Sequence, residues 1–173
     1  RGRLRAVGEE DGTMHVLVVF GSKRGGTAGL AEMIGDALRQ LGHDVTVRPA
    51  KEVRELAGAD AVIVAGALYS NRWHRDARRF VKRNREALQR LPVWLVSSGP
   101  LDDSAAQREI PPTSQVKKLA DDVGARGHVT FGGRLARDAK GFPASAMAKR
   151  KAGDWRDPAH VRRWAATVAG ELG

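Results

Sequence analysis

The sequence predicts an α/β protein: a three-layer sandwich in which a five-stranded parallel sheet, ordered 2-1-3-4-5, carries helices on both faces. Two observations predict it. Five short apolar runs alternate with helical patterns along the chain, which implies parallel strands joined by right-handed crossovers. Most of those runs are nearly continuous rather than alternating, as strands covered on both faces must be. Five such units fit a doubly wound sheet, where ligands bind beyond the carboxyl ends of the strands at the point where the strand order reverses.

Each element has its own signal. His15 to Phe20 is the first strand, ending at Gly21. Thr27 to Gly42 follows as a helix, with Leu30, Ile34, Ala37, Leu38 and Leu41 at helical spacing and Gly42 as its stop. Asp44 to Arg48 is a short second strand and Lys51 to Leu56 a short second helix. Asp60 to Ala65 is the third strand. From His74 to Leu91, Ala77, Phe80, Val81, Ala87, Leu88 and Leu91 share one face while arginines take the other, which predicts one long helix. Pro92 to Ser98 is the fourth strand, with Trp94 inside it as a core residue. Val116, Leu119, Ala120 and Val123 mark the fourth helix, and His128 to Gly132 the fifth strand. Val161, Trp164, Ala165, Val168 and Leu172 give a closing amphipathic helix. Two stretches break the rhythm: 99–112 reads as a polar loop and 134–158 as a long basic connection. Loops of such length are functional or disordered more often than not.

A chain of 173 residues fits one domain. Residues 1–13 are charged and lack an apolar centre, so they read as a flexible N-terminal extension and not as a secretory signal; the folded unit is then 14–173. No apolar run approaches the ~18–20 residues that span a bilayer, which predicts a cytoplasmic protein, at most peripheral at a membrane. The chain has no cysteine. That excludes disulfides, thiolate metal sites and a cysteine nucleophile, and any electron chemistry must come from a bound cofactor. No serine–histidine–acid set or metal-ligand cluster is recognisable, and no catalytic side chain or metal site is assigned.

Thirty basic against twenty acidic residues leave a formal charge of +10. Such a field attracts phosphate ligands, anionic lipid, nucleic acid or an acidic protein, and it also serves plain solubility. Arg72–Arg90 holds eight basic and two acidic residues, and Arg134–Arg163 nine and three. An aromatic content of 5% argues against nucleic acid, whose readers interleave exposed aromatics with their cations.

The crevice is lined by the loops after the first, third and fourth strands. In the first, Gly25 and Gly26 let backbone amides turn inward, Ser22 and Thr27 add hydroxyl donors, and Thr27 opens a helix whose positive end favours an anion. This is a phosphate cradle, although a plain strand-to-helix turn uses the same residues. It is not a nucleoside-triphosphate loop, because Thr27 stands where that motif needs lysine. Nor is it a dinucleotide fingerprint, which needs Gly-x-Gly-x-x-Gly. In the second loop Tyr69 and Trp73 are placed to cover a flat ring; Trp73 equally suits the first anchor of the helix that follows. His74 invites a catalytic reading, but beside Arg75 and Asp76 at a helix start it suits capping or solvent exposure better.

Three segments resemble the flavodoxin superfamily: Val16–Thr27, Val62–His74 leading into Phe80–Arg83, and Phe131–Leu135 with the closing Trp164 helix. The second is most similar to the menaquinone-dependent protoporphyrinogen IX dehydrogenase branch. The resemblance covers Met14 to the end and implies a flavodoxin-like sandwich that binds FMN. It places the phosphate on Ser22, Lys23, Arg24, Gly25, Gly26 and Thr27. The ring then lies between Ala67, Leu68, Tyr69, Ser70, Asn71 and Trp73 on one side and Ser97, Ser98, Gly99, Pro100 and Leu101 on the other. It implies an oxidoreductase acting on a porphyrinogen-like substrate, with a quinone acceptor and peripheral contact with anionic membrane. The alternative within the superfamily is a soluble electron carrier with no small-molecule substrate of its own. Members commonly open the first loop with two hydroxyl residues; Gly21 leaves only Ser22 here.

Overall fold

The computed structural model describes residues 13–22, 25–56, 58–100, 102–135 and 153–172. The predicted extension at 1–13 lies almost wholly outside them. Strand β1 is His15–Gly21, β2 Asp44–Pro49 and β3 Ala61–Tyr69. A two-residue strand, β4 (Arg72–Trp73), folds back antiparallel on β3. Strands β5 (Val93–Ser98) and β6 (Gly127–Phe131) complete a parallel sheet ordered β2-β1-β3-β5-β6. With β4 set aside, this is the predicted order.

Helices cover both faces. On one, α1 (Gly25–Gln40) and the closing helix bury Leu30, Ile34, Leu38, Val161, Ala165 and Val168 against Val16, Val18, Ile63 and Val96. On the other, α2 (Arg75–Arg83), α3 (Arg85–Leu88) and a helix at Ser114–Val123 bury Ala77, Phe80, Leu88, Val116 and Leu119 against Leu17, Val19, Val62 and Leu95. Alternate residues of β1, β3 and β5 thus feed opposite cores, which is why the strands read as continuous apolar runs.

Several predicted elements differ. α1 starts at Gly25, two residues before Thr27. The second helix is only a 3-10 turn, Ala50–Glu52, too short a stretch to propagate an α-helix. The single helix expected over His74–Leu91 breaks at Asn84, whose side-chain amide donates to the Phe80 carbonyl at 2.9 Å and whose backbone leaves the helical region at φ −105°, ψ 20°. Within the predicted loop 99–112 there is a helical turn, α4 (Ser104–Gln107), followed by α5, the Ser114–Val123 helix. The basic connection contains a pair of two-residue strands, β7 (Arg134–Leu135) and β8 (Gly153–Asp154), which pair antiparallel ahead of α6 (Pro158–Leu172).

Candidate functional site

Strand register brings the three predicted loops to one edge. Gly21 pairs with Gly66, Gly66 with Ser97, and Ala67 with Ser98, so β1 and β5 end within a residue of each other while β3 runs on between them to Tyr69.

At the first loop, Ser22 is half-buried, Gly25 exposed, and Gly26 and Thr27 buried in the opening turn of α1. Lys23 and Arg24 lie outside the described residues. That turn contains no acidic side chain. A side chain at Gly25 would meet nothing within 4 Å, so the turn opens outward there. The first four amides of any α-helix lack an intrahelical acceptor, and the helix dipole adds roughly half a positive charge at that end. The missing second hydroxyl also has a physical reason: a Cβ on Gly21 would stand 2.7 Å from the Ala77 amide nitrogen. The start of α2 abuts the end of β1, and a serine or threonine does not fit between them.

The second loop is a hairpin. β3 runs four residues past Ala65 and turns through Ser70 and Asn71, both at positive φ (50° and 65°), before β4. Two central residues of that hand match the twist of a tight hairpin. Ala67 is buried, Leu68 and Tyr69 half-buried, Ser70 and Asn71 exposed. Tyr69 stands edge-on to His74 at 6.1 Å between centroids, and His74 caps α2 by accepting from the Asp76 amide at 3.1 Å. The capping expected of His74 is what the structure shows.

Of the two readings of Trp73, the structure takes the anchor. Its ring is 1% exposed and lies over bare Gly66, where a Cβ would be 2.6 Å from the indole. Its indole N–H donates to Ser97 Oγ at 3.0 Å, and its amide donates to Gln115 at 2.8 Å. The ring has no face left for a ligand. Ser97, 1% exposed, is likewise occupied: its Oγ is 2.9 Å from His128 Nε2. Because an indole only donates, the Ser97 hydroxyl accepts from Trp73 and passes its own hydrogen to His128. Burial pushes His128 down to about 4, so it is neutral and accepts at neutral pH. Trp73 and Ser97 therefore support the loops from beneath.

In the third loop Ser98 is buried, Gly99 and Pro100 half-buried, and Leu101 lies outside the described residues. A side chain at Gly99 would stand 3.0 Å from the Leu68 side chain, so the hairpin and this loop touch at the base of the crevice.

Sequence reasoning missed a fourth contributor. The Gly133 amide donates to the Pro100 carbonyl at 2.8 Å, and the Trp155 amide to Gly133 at 2.9 Å. One residue on, Arg156 Nη1 donates to the Gly26 carbonyl at 3.3 Å, while Asp154 grips its Nε and Nη2 at 2.9 and 2.7 Å. The segment 153–156 thus ties the third loop to the first. The only sequence signal was Gly29 inside a helical pattern, where a Cβ would collide with Arg156 Nη1.

A cleft of about 410 Å³ at the β6 edge, lined by Arg108, His128, His160, Arg163 and Trp164 among others, includes none of the predicted site residues. No described helix is long and apolar enough to cross a membrane.

A family model described as flavodoxin domain matches residues 17–147. No curated protein is similar enough to match. Among solved structures, a flavodoxin from the domain Archaea is 16% identical with a TM-score of 0.59, covering 92% of this chain and 99% of its own. A Streptococcus pneumonia TIGR4 flavodoxin is 19% identical with a TM-score of 0.59, covering 91% and 99%. A Fusobacterium nucleatum flavodoxin mutant bound to flavin mononucleotide is 14% identical with a TM-score of 0.55, covering 93% and 98%. At these identities the structures speak for the fold, and the family match spans most of the sequence: the chain belongs to the flavodoxin-domain family.

Proposed function

We propose that this protein binds FMN at the carboxyl edge of its sheet and works as a redox protein. The observation that carries the reading is the first turn of α1: amides that have no acceptor within the helix, a bare Gly25, the Ser22 and Thr27 hydroxyls and no acidic residue. That donor set suits a phosphate dianion. Ser22 to Thr27, including Lys23 and Arg24, would hold the phosphate. The hairpin residues Ala67 to Asn71 and the loop Ser98 to Leu101 would flank the ring, with Trp73 and Ser97 fixing both from below. Bound flavin supplies the hydride and electron chemistry. The chain's part is to bind, orient and shield, and no side chain need act as an acid or base.

The finer reading is an oxidoreductase of the menaquinone-dependent protoporphyrinogen IX dehydrogenase type, passing electrons from a porphyrinogen-like substrate to a quinone. The outer face of α2 supports it. At about 3.6 residues per turn, Arg75, Arg78, Arg79, Lys82 and Arg83 share one arc, opposite buried Ala77, Phe80 and Val81. Among the described residues no acidic side chain pairs with them. A cationic helix face starting beside the crevice suits an anionic membrane surface, where a quinone resides. The same face also suits an acidic partner protein, the reading in which the chain is an electron carrier without its own substrate.

The test is an absorbance spectrum of the purified protein, with mass identification of what leaves on denaturation. Flavin bands and released FMN are expected; a colourless protein whose tryptophan fluorescence ignores added FMN contradicts the proposal. Retention on anionic but not neutral vesicles, lost at high salt, supports the membrane reading. Indifference to vesicles with electron transfer to a reductase selects the carrier.

A further inference from the structure

Arg156 occupies an unusual place. Cations are unfavourable on the first turn of a helix, because they add to the positive end of its dipole. Yet the guanidinium lies against that turn of α1, donating to the Gly26 carbonyl across 130 positions of sequence, and Gly29 is bare where it packs. It is not a loosely held surface group: its side chain is 16% exposed. Asp154 fixes it through Nε and Nη2, and the Arg156 amide also donates to Asp154 Oδ1 at 3.1 Å. The segment is held in turn by the Trp155–Gly133–Pro100 hydrogen bonds. Of the five guanidinium hydrogens, three are committed to Asp154 and Gly26, and two remain. Asp154 is solvent-exposed in this pair, while Arg156 packs against a bare glycine with two hydrogens uncommitted at an already positive helix end, a place that would receive an anion.

We propose that Arg156 is a specificity residue of the phosphate site, making the cradle select a phosphorylated flavin over the unphosphorylated one. This rests on the FMN reading above. Asp154 is its positioning partner: it sets the guanidinium plane and leaves the remaining hydrogens for the phosphate. Arg156 also joins the phosphate loop to the ring loop through Trp155 and Gly133, so that the phosphate and the ring loop are held by one connected segment.

The experiment is a pair of fluorescence-quenching titrations, with FMN and with riboflavin, on the full chain and on Arg156→Gln, Arg156→Lys and Asp154→Asn, with a melting curve for each. The wild-type chain is expected to favour FMN. Arg156→Gln should weaken FMN ~10–100-fold, the loss of about one charge-assisted hydrogen bond, and change riboflavin by less than about threefold. Arg156→Lys should fall between, keeping the charge without the two-sided grip. Asp154→Asn should narrow the preference in the same direction, and it decides the matter should Arg156→Gln not fold. An FMN-to-riboflavin ratio unchanged in folded variants overturns the inference and leaves FMN binding intact. A wild-type chain that binds neither flavin overturns both.

Discussion

Helices α1 and α2 start at the same edge of the sheet, on opposite faces, and their first turns are built in opposite ways. α2 satisfies itself: His74 caps its amides, and Asp76 in the first turn answers its dipole. α1 begins with two glycines and no acid, and it draws a guanidinium to its side. Their outer faces are reversed as well. On α1, Arg39 pairs with Asp36 at 2.8 Å and lies 4.0 Å from Glu32, and on α5 Lys117 pairs with Asp121 at 3.1 Å. On α2 the exposed arc is cationic, without such partners among the described residues. The lesson is that the net charge of +10 is not an even coat. The start of α1 carries no acid and the outside of α2 carries a run of cations, one suited to a small anion and the other to a surface.

This contrast is open to attack. The largest expected effect is on the footing of α2: Trp73→Ala should cost ~3–5 kcal/mol in urea unfolding, the range for a buried aromatic. Tyr69→Ala, half-exposed on the same hairpin, should cost under about 1 kcal/mol, with its effect appearing in flavin affinity. Equal losses would mean that the hairpin packs differently.

Placing an acid in the first turn of each helix separates them directly. Thr27→Glu on α1 should weaken FMN ~100-fold or more, since like charges about 4 Å apart repel by several kcal/mol near a protein surface. Arg75→Glu on α2 should leave FMN within about threefold. Flavin titrations read both, and similar losses in the two would erase the distinction.

Acid should loosen the α2 side through the Trp73–Ser97–His128 chain. The folded His128 titrates at about 4, below its ordinary 6.5, so the unfolded chain binds the proton first as pH falls. Stability is therefore intact above pH 6.5 and lost progressively down to 4. Thermal melts across that window should show a shallower acid limb in His128→Gln; an unchanged limb would remove His128 as its source. Smallest, reversing Arg79 and Lys82 to glutamate should weaken retention on anionic vesicles by roughly 1 kcal/mol or more per position. Reversing Glu32 and Asp36 to lysine on α1 should not weaken it at all.

Much of the frame was readable from the sequence because both faces of the sheet are covered: continuous apolar runs such as Val16–Val19 and Val62–Ala65 admit few other homes. The start of α1 was readable to within two residues because Gly25, Gly26 and Thr27 are consecutive. The hairpin was not, since Ser70–Asn71 lacks the glycine that usually marks such a turn, and two-residue strands carry no periodicity. The break at Asn84 was hidden because the apolar spacing continues through it, from Phe80 to Ala87 and Leu88. Trp73 was ambiguous until Gly66 and Ser97 were seen beneath it. Arg156 was beyond reach for a simpler reason: nothing local in a sequence joins positions 26 and 156.

The claim that the start of α1 holds a phosphate is tested most directly by phosphorus NMR of FMN titrated with the protein and followed over pH. Free phosphate monoesters take up a proton near pH ~6. A phosphate held by those amides gives a shifted resonance that stays dianionic well below that point. A bound flavin whose phosphorus signal keeps the position and titration of free FMN would contradict it.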